Sequence, residues 1–118
     1  MTLPFDRDLL RGSIDLMVLS VLAEGPTYGY QIQKRLLAAS GDRLRVQAGT
    51  LYPILHRLEA EGQVQATWDD SSGRRRRFYT LTGGGRSQLD RRASQWRQYA
   101  DCMANLLGPA ARVSPAAG

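Results

Sequence analysis

The stretch GRRRRFYTLT, Gly73 to Thr82, sets four consecutive arginines directly after the turn-forming Asp70-Ser71-Ser72-Gly73. Side chains alternate along a strand, so Arg74 and Arg76 would share one face and Arg75 and Arg77 the other. A guanidinium is a planar fork that suits phosphates and guanine edges better than an ammonium does. At the tip of a hairpin such a run can lie on a nucleic-acid backbone or enter a narrow, A·T-rich minor groove. The competing use is cross-strand pairing with Asp69 and Asp70, which neutralises at most two of the four. The run therefore predicts nucleic-acid contact.

A second stretch, GTLYPILHRLEAEG from Gly49 to Gly62, carries a proline near the front of a helical pattern. Leu51, Ile54, Leu55 and Leu58 form one apolar stripe. Gln47, Thr50, Tyr52, Pro53, His56 and Arg57 are left at the front and on the outer side. Proline is tolerated only in the first turn, where amides have no partner, so Pro53 predicts a helix start near Gly49 or Thr50. The front of the second helix of a helix-turn-helix is what meets base edges in the major groove. The plainer use of the same residues is a helix-start proline, a packed Tyr52, and Arg57 paired with Glu61 one turn on. On this helix alone the two readings are evenly matched, and the arginine-rich hairpin behind it favours the first.

Catalysis finds no constellation. His56 and Cys102 are each single, and the acids show no spacing that makes a nucleophile–base pair or a metal set. LTGGGR lacks the lysine–hydroxyl ending of a phosphate loop and follows a hairpin, so it reads as a capped helix start. No enzymatic activity, cofactor or metal is predicted.

The elements that must position these residues follow from periodicity. Leu10, Ile14, Met17, Val18, Val21 and Leu22 recur at helical spacing up to Gly25-Pro26. Thr27 is suited to cap a second helix carrying Ile32, Leu36 and Leu37, which Ser40-Gly41-Asp42 ends. Arg43 to Gln47 is extended, and the proline-marked helix follows. Val64, Ala66 and Trp68, then Arg77, Tyr79 and Leu81, alternate as two strands of a hairpin. Thr82 opens a last helix, whose first turn Gly83 to Gly85 weakens by about 1 kcal/mol per glycine. Along it Leu89, Ala93, Trp96, Ala100, Met103 and Leu107 step as a heptad seam, the pattern of helices packing side by side.

The expected fold is mainly α with a two-stranded β-wing: a winged helix-turn-helix over residues 1–81, a dimerisation helix over 82–107 and a disordered Pro/Gly/Ala-rich tail over 108–118. A chain of 118 residues makes one modest core, which a partner subunit can supplement. The net charge is +5, and all of the 16 basic residues except Lys34 are arginines. That balance makes nucleic acid the first partner to consider. A single cysteine excludes an internal disulfide and fits a reducing compartment. The N-terminal MTLPFDRDLLRGSID lacks the basic start and apolar run of a signal peptide, and no apolar run is long enough for a bilayer. A cytoplasmic protein is expected.

Three segments together, LRGSIDLMVLSVLAEGPTYGYQI from Leu10 to Ile32, GTLYPILHRLEAEG and GRRRRFYTLTGGGR, resemble the PadR-like transcriptional regulators of the short subgroup. The resemblance implies a cytoplasmic homodimeric repressor that binds double-stranded DNA, with paired final helices and a half-site under each wing and third helix. It carries DNA contacts onto Thr50, Tyr52, Pro53 and the wing arginines. It also implies a small aromatic effector between the final helices, for which Trp96, Tyr99 and Met103 are the candidates. A dimer-core role is the simpler use of Trp96. The triple glycine departs from the family's threonine-then-glycine start and suggests that the last helix begins late. Two other functions compete with a DNA-binding repressor: a winged helix serving as a protein-interaction module, and a ligand sensor with no DNA role.

Overall fold

The computed structural model describes residues 12–108; Leu10, the N-terminal segment considered for a signal peptide and the tail from 109 lie outside them. The elements run α1 (Ser13–Ala23), β1 (Thr27–Tyr28), α2 (Gly29–Ala39), α3 (Ala48–Ala60), β2 (Val64–Asp69), β3 (Arg76–Leu81) and α4 (Gly83–Leu107). Val18 and Leu19 of α1, Ile32 of α2, and Leu51, Leu55 and Leu58 of α3 close around Val64 and Tyr79 from the sheet. Three leucines at i, i+4 and i+7 give α3 a single buried side.

The sheet has three strands rather than two. Thr27 pairs with Tyr79 and Tyr28 with Phe78, so β1 adds antiparallel to β3, in the order β1-β3-β2. Thr27 is therefore a strand residue, and Tyr28 takes the position before α2 without a side-chain cap. A two-residue strand has no periodicity to detect; only its partner 50 residues on creates it.

The last helix starts at once, at Gly83, in spite of its glycines. Thr82 donates its hydroxyl to the Gly62 carbonyl at 2.7 Å and accepts the Gly85 amide at 3.0 Å. This caps α4 and ties it to the end of α3. A Cβ on Gly85 would collide with the Gln63 carbonyl oxygen and stand 2.6 Å from Leu81 Cδ1. The glycine is a close-approach residue between backbone segments, and the cap offsets its poor helix propensity.

From there α4 runs 25 residues, about 37 Å at the helical rise, in a molecule whose longest extent is 54 Å. Leu89 packs on the core. Farther along, Trp96 is 53% exposed, Tyr99 61% and Leu106 76%. Among the described residues no helix is long and apolar enough to cross a membrane.

Candidate nucleic-acid interface

On a helix, residues seven apart share a flank. Tyr52 and Glu59 therefore lie on one side of α3, Thr50 and Arg57 on the other. The fold uses both flanks. Tyr52 lies so close over Gly29 of α2 that a Cβ there would stand 2.5 Å from the phenol oxygen. Beyond it, Arg77 of β3 donates one Nη2 to both oxygens of Glu59, at 3.0 Å each.

On the opposite flank Arg57 Nη2 donates to Asp15 Oδ1 of α1 at 2.7 Å. Glu61, the partner expected from i+4 spacing, is farther away, at 3.8 Å. Arg92 of α4 donates to the second Asp15 oxygen at 3.4 Å. Burial pushes the Asp15 carboxyl up, but the hydrogen bonds and charges of Arg57 and Arg92 outweigh it and hold the group below the usual carboxylate range. The same hydrogen bond to Asp15 raises Arg57. One buried carboxylate thus ties three helices.

Between these flanks α3 presents Gln47, Ala48, Gly49, Pro53 and His56 as exposed residues, with Thr50 half-buried beside them. The helix begins at Ala48, with Gln47 in the N-cap position. Pro53 is consequently the sixth helical residue, not a first-turn one, and cannot supply the amide that the Gly49 carbonyl would accept. The expected start falls one to two residues late because the buried Leu44 and Val46 deliver the chain into the helix earlier. Ala48 and Gly49 on the front are exposed residues that apolar periodicity passes over.

The wing arginines are not equivalent. Only Arg76 and Arg77 belong to β3, while Arg74 and Arg75 lie in the turn. Arg75 and Arg77 still share a face, stacked over Trp68 at 4.3 and 5.1 Å from its centroid. Arg76 covers the Tyr28 ring at 3.9 Å, on the other side of the sheet. Cation–π stacking of this kind holds a guanidinium extended without removing its charge. Asp70 stands 4.0 Å from Arg75. Arg74 has no ion pair or ring contact among the described residues. Asp69 is engaged otherwise: the Tyr28 hydroxyl donates to it, as does the Ser71 amide. The Tyr28 hydroxyl first, then the Ser71 amide and side chain, with the charge of Arg76, lower its pKa to about 2.

Where α1 meets α4, Asp15, Leu16, Arg92, Gln95, Trp96 and Tyr99 line an open cavity of about 400 Å³. Met103 is not among its lining residues. Leu89, Ala93 and Trp96 of the seam also face Leu16 and Ser20 of α1 across a neighbouring groove. Among the described residues no cluster of His, Cys, Asp and Glu could hold a metal ion.

A helix front and an arginine-bearing hairpin held to it are the parts of a winged helix-turn-helix reader. Comparison with known proteins agrees. A transcriptional regulator from Mycobacterium tuberculosis is 39% identical over 89 residues, 74% of this chain and 80% of that one. The structure of a transcriptional regulator from Clostridium thermocellum superposes with a TM-score of 0.79 at 27% identity, covering 86% of this chain and 99% of the other. That of a PadR family regulator from Eggerthella lenta does so with 0.75 at 36% identity, over 86% and 88%. The model of the PadR-like transcriptional regulators matches residues 18–91. From Val18 in the first helix to Arg91 in the last, the chain belongs to the PadR-like family of DNA-binding transcriptional regulators, which are not enzymes.

Proposed function

We propose that this regulator is a cytoplasmic repressor that binds a pseudo-palindromic operator as a homodimer. Two α4 helices pair along Leu89, Ala93, Trp96, Ala100, Met103 and Leu107. The exposure of Trp96 and Leu107 in this seam, with Tyr99 and Leu106 beside it, supports this, since single chains seldom leave so much apolar surface on one helix. Each α3 front then enters a major groove, with half-sites roughly 34–36 Å apart.

The observation that carries the reading is the Glu59–Arg77 pair, which braces the wing to α3. The α3 front and the wing are thereby offered to a duplex as one unit. Gln47, Thr50 and Pro53, with His56, meet base edges. Tyr52 and Arg57, expected from the sequence to touch DNA as well, also set the angle of the helix. Tyr52 does so through its packing over Gly29, and the half-exposed Arg57 through its bond to Asp15. Arg74, Arg75 and Arg76 anchor phosphates or enter the minor groove, and Arg77 is chiefly the brace.

Selection of bound duplexes from a random pool tests this directly. A palindrome with half-sites one turn apart is expected, and enrichment of no sequence would overturn it. If about six phosphates are neutralised per dimer, affinity falls roughly a thousandfold between 50 and 200 mM salt.

An effector role is supported by the cavity that Trp96 and Tyr99 share with Arg92 and Asp15. A small flat aromatic compound stacked there would release the operator. Quenching of tryptophan fluorescence that persists unchanged in Trp96→Ala would exclude this site.

A further inference from the structure

The segment that delivers the chain into α3 belongs to no helix or strand, reaches Gln47 in an extended conformation and alternates in burial. Leu44 and Val46 are buried, while Arg43, Arg45 and Gln47 face outward. It is held in place from two sides: Gln33 Nε2 of α2 donates to the Val46 carbonyl at 2.9 Å, and the Leu44 amide donates to Ser40 Oγ at 2.8 Å. Burial that alternates residue by residue is the pattern of extended backbone, which sets outward residues two apart at roughly 6.5–7 Å, the spacing of successive phosphates along one strand of a duplex.

Arg45 and Gln47 also line a groove of about 280 Å³ with Tyr30, Gln33 and Lys34 of α2. Lys34 sits over the Tyr30 ring at 5.3 Å. Arg43, Arg45 and Lys34 have no acidic partner among the described residues, as is also true of Arg74 and Arg76 in the wing and of Arg86, Arg91 and Arg97 on α4. An arginine row that the protein leaves uncompensated, on a backbone pinned by hydrogen bonds, is matched to a polyanion. It runs directly into Gln47 at the N-cap of α3, so a backbone lying on it is continuous with the groove that α3 enters.

We propose that Arg43 and Arg45, with Lys34 across the groove, form a second phosphate-binding arm at the N-terminal end of α3. It complements the wing, which is braced to the C-terminal half of α3 through Glu59. The inference rests on the DNA-binding reading above. It adds a set of phosphate ligands that none of the wing or α3 residues supplies. Phosphate contacts carry affinity without sequence information, so the arm fixes register on the duplex and leaves base preference to α3.

The test uses the full chain and fluorescence anisotropy on two labelled duplexes, one selected from a random pool and one unrelated. Arg43→Gln/Arg45→Gln, checked for an unchanged thermal melt, is compared with wild type across salt concentrations; Lys34→Gln is measured alongside. The expected result is a salt slope shallower by about one unit for each phosphate that is no longer neutralised. Affinity near 0.1 M salt should fall about tenfold per phosphate, equally on both duplexes. A double variant that binds both duplexes as wild type does overturns the arm alone. A weakening confined to the selected duplex with the slope intact also overturns it, since the residues would then be reading bases. Wild-type protein that binds neither duplex at low salt removes the parent reading and the arm together.

Discussion

Arg77 and Glu59 form the contact that ties the wing to α3: one guanidinium nitrogen donates to both carboxylate oxygens at 3.0 Å, joining β3 to one flank of the helix. Arg74, three residues earlier in the same run, has no such partner among the described residues. The same residue type thus serves stiffness at one position and charge at the other.

Arg77→Gln should lower stability by about 1 kcal/mol, the upper part of the range for a partly solvated pair. Arg74→Gln should leave it within about 0.5 kcal/mol yet make the salt dependence of DNA binding shallower by about one unit. Thermal unfolding and anisotropy titrations on the two variants separate the roles. Equal melting temperatures for both would refute the brace.

Asp15→Asn removes the counter-ion shared by Arg57 and Arg92. The expected cost is about 1–2 kcal/mol, below the buried-pair range because both arginines are partly solvated. At the same time Arg57 gains freedom to reach a phosphate, so DNA binding should become steeper in salt and less discriminating. A purely structural effect would weaken binding with an unaltered slope.

Gly85→Ala and Gly83→Ala should have opposite signs although both put alanine in the first turn of α4. At Gly83 nothing lies within 4 Å of an added Cβ, so the substitution stabilises by about 0.4–1 kcal/mol. At Gly85 the Gln63 carbonyl and Leu81 occupy the space, and overpacking costs about 1–3 kcal/mol. Melting curves decide it; similar shifts for both would sink the close-approach account.

Asp69 has a pKa near 2 in the folded chain against 3.8 for the free group. Its contribution to stability is therefore complete above about pH 4 and is lost as pH falls through about 2. Carboxyl titration followed by NMR should show this depressed midpoint, and Tyr28→Phe, which removes the donor, should move it up. A midpoint near 4 in the wild type would contradict the Tyr28–Asp69 hydrogen bond.

Local pattern makes much of the fold legible. The leucines of α3, the alternation of Val64 to Trp68, and Thr82 as a cap each report burial or backbone geometry within a few residues, and the elements they mark are present. Two starts differ: α3 begins one to two residues earlier than Pro53 suggests, and α4 begins at Gly83 rather than late. The two-residue β1 is not legible, because a strand that short exists only through its partner.

The candidate interface divides the same way. The sequence by itself determined that a proline-bearing helix and an arginine hairpin would be joined in one small basic domain, since spacing and charge are local properties. Only the tertiary structure decided which cations are committed. Arg57 finds Asp15 at a separation of 42 residues, Arg92 finds it at 77, and Arg77 finds Glu59 at 18. Ion pairing depends on distances in space, which no periodicity along the chain encodes, and so the uncommitted arginines could be told apart only after the chain had folded.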